Sequence, residues 1–69
     1  MEMTIFGNYL QGLGLIFKRA ISPELISEYY DMFGNEQESN WKEACQRMKV
    51  GGEHFPYPKE FFPILADLK

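Results

Sequence analysis

Residues 22–34 read SPELISEYYDMFG, and this stretch contains a helix from its start signal to its stop signal. Ser22 is a preferred N-cap, Pro23 suits the first helical position, and Glu24 complements the helix dipole. Gly34 offers a left-handed C-terminal stop. Apolar residues recur between these signals at helical spacing: Leu25, Ile26, Tyr29, Met32 and Phe33. The stretch predicts an amphipathic helix whose apolar stripe needs partners.

A second apolar stripe precedes this helix. Its members follow the spacing of one helix face: Phe6, Tyr9, Leu10, Leu13, Ile16, Phe17 and Ala20. Gly7, Gly12 and Gly14 each cost about 1 kcal/mol relative to alanine inside a helix. Tertiary packing must therefore hold this helix, and the glycines permit close approach by a neighbouring element.

A third helix follows the polar loop at residues 35–39. Asn40 and Glu43 have the spacing of a capping box, and Gly51-Gly52 provides the stop. The predicted buried face consists of Trp41, Ala44, Cys45 and Met48.

The remaining segment, residues 55–63, reads FPYPKEFFP. Each proline restrains the residue before it to extended geometry, which predicts a stiff connector up to Tyr57. Pro58 can open a fourth helix, and Pro63 should kink or break it. No strand-like alternation and no internal repeat is present. The sequence thus predicts a single all-α domain over residues 1–69, a small three-helix bundle with a short kinked fourth helix after a Pro-braced connector.

Composition narrows the functional classes. The chain has a net charge of −3 and contains one Cys and one His. These counts exclude a disulfide framework and a Cys/His zinc site within one chain. The negative charge argues against a nucleic-acid or membrane partner. Because no targeting segment and no apolar run near about 20 residues is visible, we expect a cytoplasmic protein.

No constellation of residues indicates catalysis. His54 stands alone in a glycine-containing connector, where we expect it to be solvated. Cys45 shares the apolar stripe of Trp41, which predicts a buried and inert thiol. Glu24, Glu28 and Asp31 share one helix face, interpreted as an outward, solvated one. The sequence therefore predicts no catalytic residue, no metal ligand and no cofactor.

The aromatic content is more informative. Aromatic residues make up 16% of the chain, and a bundle of this size has too high a surface-to-volume ratio to enclose every ring. Exposed Tyr and Phe on rigid elements are typical contact anchors in protein interfaces. We expect Phe55 and Phe61 to turn inward. The candidate protein-binding residues are Tyr57, Phe62, Tyr9 and Tyr30.

The order of these features resembles a known family. It is carried by residues 15–17 (LIF), 29–33 (YYDMF), 44–48 (ACQRM) and 55–61 (FPYPKEF). This arrangement is similar to the helical domain of phage replicative-helicase loaders, both the lambda type and the loader-inhibitors of Bacillus phages. Pro56, Pro58 and Phe61 match the family's proline turn, and the likeness covers roughly Leu13 to Leu65.

The resemblance implies a non-enzymatic replication accessory protein that contacts a replicative helicase in a bacterial or phage-infected cell. The resemblance is compatible with a protein that loads the helicase and with one that restrains it. The alternative is a small helical adaptor or inhibitor of another host protein, acting as a homodimer.

Overall fold

The computed structural model describes residues 1–69 and consists of helices without any strand. These are α1 (Met3–Ile16), α2 (Pro23–Phe33), α3 (Glu38–Gly51) and α4 (Pro58–Leu68). The predicted all-α class is confirmed. The fourth helix contains 11 residues, as many as α2.

The start of α2 follows its sequence signal, whereas the start of α3 does not. The Ser22 hydroxyl oxygen accepts a hydrogen bond from the Leu25 N–H at 3.1 Å. Helix α3 begins at Glu38 with Gln37 as its N-cap, so the capping box expected at Asn40 and Glu43 is wrong. The first turn forms earlier in the chain, because the backbone N–H of Trp41 donates to the Gln37 carbonyl at 3.0 Å.

Helix α1 ends in a Schellman motif, one turn earlier than the stripe through Ala20 predicts. The Arg19 N–H donates to the Gly14 carbonyl at 2.8 Å, and the Lys18 N–H donates to the Leu15 carbonyl at 3.4 Å. Lys18 occupies the left-handed position with a φ of 55°, the one residue of the chain with positive φ. The chain can therefore turn sharply towards α2.

Two glycines of α1 permit the expected close approach. A Cβ at Gly14 would lie 2.5 Å from Ile21 Cγ1 and 2.8 Å from the Arg19 carbonyl oxygen, so the turn into α2 needs a glycine there. A Cβ at Gly7 would lie 3.3 Å from Ile26, where α1 packs against α2. Gly34, by contrast, has an ordinary helical φ of −61°, and the left-handed stop expected at the end of α2 is wrong.

Pro63 lies inside α4 without breaking it. The helix is continuous from Pro58 to Leu68, so a break at Pro63 is wrong, and the alternative expectation of a kink stays a prediction. Proline removes one donor, and the carbonyl left without that partner belongs to Lys59, one turn back. Both Lys59 and Pro63 are exposed, and water can satisfy the freed carbonyl.

The core is an aromatic cluster to which each helix contributes a ring. Trp41 of α3 stacks on Phe6 of α1 with ring centroids 4.4 Å apart. Its ring also lies 5.5 Å from Phe33 of α2 and 4.7 Å from Phe61 of α4. All of these rings are buried. The Trp41 indole N–H donates to the Phe6 carbonyl at 3.3 Å, so the polar atom of the largest core side chain is satisfied.

The connector closes the space between α2 and α4. Phe55 and Phe61 are buried, as expected from the sequence. The Tyr29 hydroxyl donates to the Pro56 carbonyl at 2.9 Å, which ties the connector to α2. Three residues assigned to the apolar stripes face solvent instead. They are Ala20, Ile16, which is 55% exposed, and Met32, which is 42% exposed.

Replacing Trp41 tests the aromatic cluster. Trp41→Ala should destabilise the fold by about 3–5 kcal/mol, because it removes the ring shared by all four helices. A domain of this length has a total free energy of unfolding of only about 3–10 kcal/mol. Trp41→Phe keeps a ring and should cost less. Urea unfolding followed by circular dichroism measures both, with Val50→Ala as the exposed control. A free energy of unfolding for Trp41→Ala close to that of wild type would contradict the packing.

Replacing Lys18 tests the Schellman turn. Glycine adopts the left-handed conformation without the Cβ clash that lysine suffers there, so Lys18→Gly should stabilise the protein by about 0.5–1 kcal/mol. Lys18→Ala keeps the Cβ and should give no such gain. Thermal unfolding of both variants measures the difference, and a less stable glycine variant would show that Lys18 is not left-handed.

Candidate functional site

Tyr57 stands at the end of the connector, immediately before α4. Its neighbours Phe55 and Pro56 are buried, whereas the Tyr57 side chain is 56% exposed. The backbone of Tyr57 is extended, with φ −77° and ψ 158°, as the flanking prolines predict. Its ring lies 5.5 Å from the ring of His54, which is exposed in the connector.

Glu60 holds this N-terminus of α4 together. One carboxylate oxygen accepts from the Tyr57 N–H at 2.6 Å and lies 3.1 Å from His54 Nε2. The bond from the Tyr57 N–H is the main cause that lowers the pKa of Glu60, and the contact with His54 adds to it. The carboxylate therefore fixes both the first turn and the position from which Tyr57 projects.

Phe62 lies on the opposite flank of α4, against α2. Its ring centroid is 5.0 Å from that of Phe33, yet its side chain is 54% exposed. The structure therefore places Tyr57 and Phe62 at the surface, as expected, but on two different flanks of the helix. One ring packs against the connector and the other against α2. Their role in binding stays a prediction.

Met32 of α2 is exposed as well. A residue advances about 100° around a helix, so the exposed carboxylates Glu24, Glu28 and Asp31 lie on the face of α2 away from the buried Phe33.

Tyr9 and Tyr30 are engaged inside the domain. The Tyr9 hydroxyl donates to a Glu38 carboxylate oxygen at 3.0 Å, a contact that raises the pKa of Tyr9. The Tyr30 hydroxyl donates to the Met1 carbonyl, and its ring packs edge-on against Phe6 at 5.2 Å. Both side chains are half-buried. Their hydroxyl groups bind α3 and the N-terminal segment of the same chain, and the role of both residues in binding a partner stays a prediction.

An aliphatic surface that the sequence did not predict lies at the ends of α1 and α3. Leu15 and Val50 are each 81% exposed, and Ile16 is 55% exposed. Gly12 and Lys49 approach each other where α1 and α3 pack, and Ile16 follows Gly12 by one turn. We call Leu15, Ile16 and Val50 the α1–α3 end. The available signal was that Leu15 and Val50 lie off the apolar stripes of their helices.

Each of the two surface clefts contains a residue that forms an ion pair. Two open surface clefts have volumes of about 470 and 400 Å³. The first contains the ion pair of Lys69 with Glu36 at 2.9 Å. The second contains Arg47, which lies 3.2 Å from Asp67. Cys45 is outside both clefts, and burial raises the pKa of its thiol to about 12.

No group of three or more His, Cys, Asp and Glu side chains is placed to hold a metal ion. None of the helices combines the length and the apolar character needed to cross a membrane. No protein-family model, curated protein or solved structure matches this chain.

The Glu60 contacts predict a specific acid sensitivity. Because the folded pKa of Glu60 is depressed, its contribution to stability is present above the ordinary value of 4.5 and is lost as the pH falls through the lower, folded value. Glu60→Gln should therefore flatten the pH dependence of the melting temperature below pH 4.5. Thermal melts of both proteins from neutral to acid pH measure this, with Glu53→Gln as the control. Parallel pH profiles for wild type and Glu60→Gln would contradict the assignment.

Proposed function

We propose that this chain is a non-enzymatic protein-binding module with Phe62 and Tyr57 as its contact anchors. The observation that carries the proposal is that Phe62 packs on a core residue and is still exposed. One side of its ring is seated on Phe33, and more than half of the side chain remains in contact with water. A large aromatic ring held in this way resembles the rigid anchors that dominate protein interfaces.

Rigidity makes both anchors effective. Binding costs free energy when flexible side chains must be ordered, and a pre-ordered ring avoids part of that cost. Phe62 is fixed by α4 and by the Phe33 ring. Tyr57 is fixed by the prolines on either side and by the Glu60 bond to its N–H.

The proposed partner is a bacterial replicative helicase, and the protein would act by loading or restraining it through contact. The proline turn of residues 56–61, on which the family resemblance depends, is also the segment that presents Tyr57 and precedes Phe62. The net charge of −3 fits a protein partner better than DNA, whose phosphates require clustered Lys and Arg. The proposed site of action is the cytoplasm of a bacterial or phage-infected cell.

A second candidate function is favoured by the α1–α3 end. Leu15, Ile16 and Val50 are exposed aliphatic residues, and such patches mark protein interaction sites when they are contiguous. On this alternative the chain is an adaptor or inhibitor of another host protein and acts as a homodimer.

A double variant tests the first proposal against the second. Tyr57→Ala with Phe62→Ala should weaken binding to purified replicative helicase by about 2 kcal/mol, or about 30-fold, because both anchors are lost. Stability should fall by only about 1 kcal/mol, since half of each ring is already in water. Biolayer interferometry and thermal melts measure the two effects. The matched control is Leu15→Ala with Val50→Ala.

The two outcomes separate the candidates. Helicase binding that survives in the Tyr57/Phe62 variant would contradict the assigned anchors. A wild-type dimer that dissociates only in the Leu15/Val50 variant, without any helicase binding, would favour the homodimeric adaptor.

A further inference from the structure

We propose that His54 forms a pH-sensitive link between the connector and α4. In its protonated form the imidazole binds Glu60 and holds residues 53–57 against the first turn of the helix, and in its neutral form this link is weakened. The inference rests on the proposed function in one respect, since the segment that is held presents the anchor Tyr57.

Residues 53–55 depend on this link because their backbone forms no hydrogen bond within the chain. Phe55 attaches the segment through its burial and through the Arg19 guanidinium, which lies 5.3 Å from the centroid of its ring. The contact of His54 Nε2 with Glu60 Oε2, at 3.1 Å, is the only hydrogen bond between residues 53–55 and a helix.

The link shares an atom with the bond that fixes Tyr57. The same Glu60 oxygen, Oε2, accepts the Tyr57 N–H at 2.6 Å. The contact with His54 is therefore one of two hydrogen bonds that orient the Glu60 carboxylate. When it is lost, the carboxylate is held by the Tyr57 N–H alone, so the firmness of that bond should follow the charge of His54.

Protonation of the imidazole strengthens both contacts of His54. A charged ring donates from Nε2, and a hydrogen bond between a cation and a carboxylate is stronger than one between neutral groups. The Tyr57 ring, 5.5 Å away, also attracts a cation. A neutral imidazole carries one N–H, and when the proton is on Nδ1 the Nε2 lone pair faces the carboxylate.

The cation of α3 beside His54 is engaged elsewhere. Arg47 lines the same cleft as His54, but its guanidinium lies 3.4 Å from Glu43 and 3.2 Å from Asp67. Glu53, which precedes His54 in the connector, lines the cleft as well. The charges on this side therefore do not oppose a protonated ring.

The groups on the other sides keep their charge while histidine titrates. The bond from the Tyr57 N–H is the main cause that lowers the pKa of Glu60, and the nearby Lys59 adds to it, so the carboxylate stays ionised. Burial raises the pKa of Tyr29 above its ordinary value of 10.0, so its hydroxyl stays neutral. Histidine changes its charge between about pH 5 and 8, and His54 is the only histidine of the chain.

A double-mutant cycle at two pH values tests the link. Urea unfolding of wild type, His54→Gln, Glu60→Gln and the double variant, at about pH 5.5 and about pH 8.5, gives the coupling between the two side chains. The coupling should change the unfolding equilibrium about threefold at the lower pH and vanish at the higher, because only the charged ring forms an ion pair. The matched control is the same cycle with Glu53→Gln, since Glu53 adjoins His54 without pairing with it.

Exchange of the Tyr57 N–H with solvent shows whether the link reaches the anchor. The rate measured by NMR is divided by the rate of an unstructured peptide at the same pH, which removes the direct effect of pH on exchange. Protection should be about threefold greater at the lower pH in wild type and in Glu53→Gln. It should not depend on pH in His54→Gln.

Three outcomes would overturn the inference. The first is a His54–Glu60 coupling of equal size at both pH values, and the second is an equal coupling with Glu53. The third is Tyr57 protection that ignores pH in wild type or keeps its pH dependence in His54→Gln. These measurements use no partner, so their failure leaves the helicase measurement, and with it the proposed function, unaffected.

Discussion

The packing of Trp41 against one ring from each of the other helices is the constraint on which the structure depends. Phe6 stacks on one part of the indole, and Phe33 and Phe61 lie against the rest within 5.5 Å. A chain this short buries a smaller fraction of its surface than a larger domain does, so a few large rings must supply much of the apolar contact. The helices are therefore joined through one side chain.

This core determines which residues remain outside it. Phe61 and Phe62 are consecutive, and a helix turns about 100° between them, so burial of Phe61 forces Phe62 towards the edge of α4. At that edge Phe62 meets Phe33, which the Trp41 cluster has already fixed. The exposed anchor of the proposed interface is thus positioned by the same packing that stabilises the fold. The carboxylates of α2 face solvent because Tyr29 and Phe33 turn the opposite face of that helix inward.

The sequence predicted the features that depend on local chemistry. The Ser22 cap, the inward Phe61 and the extended Tyr57 follow from neighbouring residues, and the structure agrees with each. Features that depend on distant partners could not be predicted in this way. Tyr9 and Tyr30 were expected at the surface, but their hydroxyl groups reach Glu38 and Met1, which are 29 positions away in each case. Ile16 and Met32 fit their stripes by spacing, and they are exposed because no neighbouring element covers those positions.

Hydrogen exchange of the Trp41 indole N–H tests the central claim most directly. This N–H is buried and bonded to the Phe6 carbonyl, so it should exchange only when the whole domain unfolds. The opening free energy obtained from its exchange by NMR should equal the free energy of unfolding from urea denaturation. An indole N–H that exchanges through a local opening of much lower free energy would show that the Trp41 cluster does not hold the four helices together.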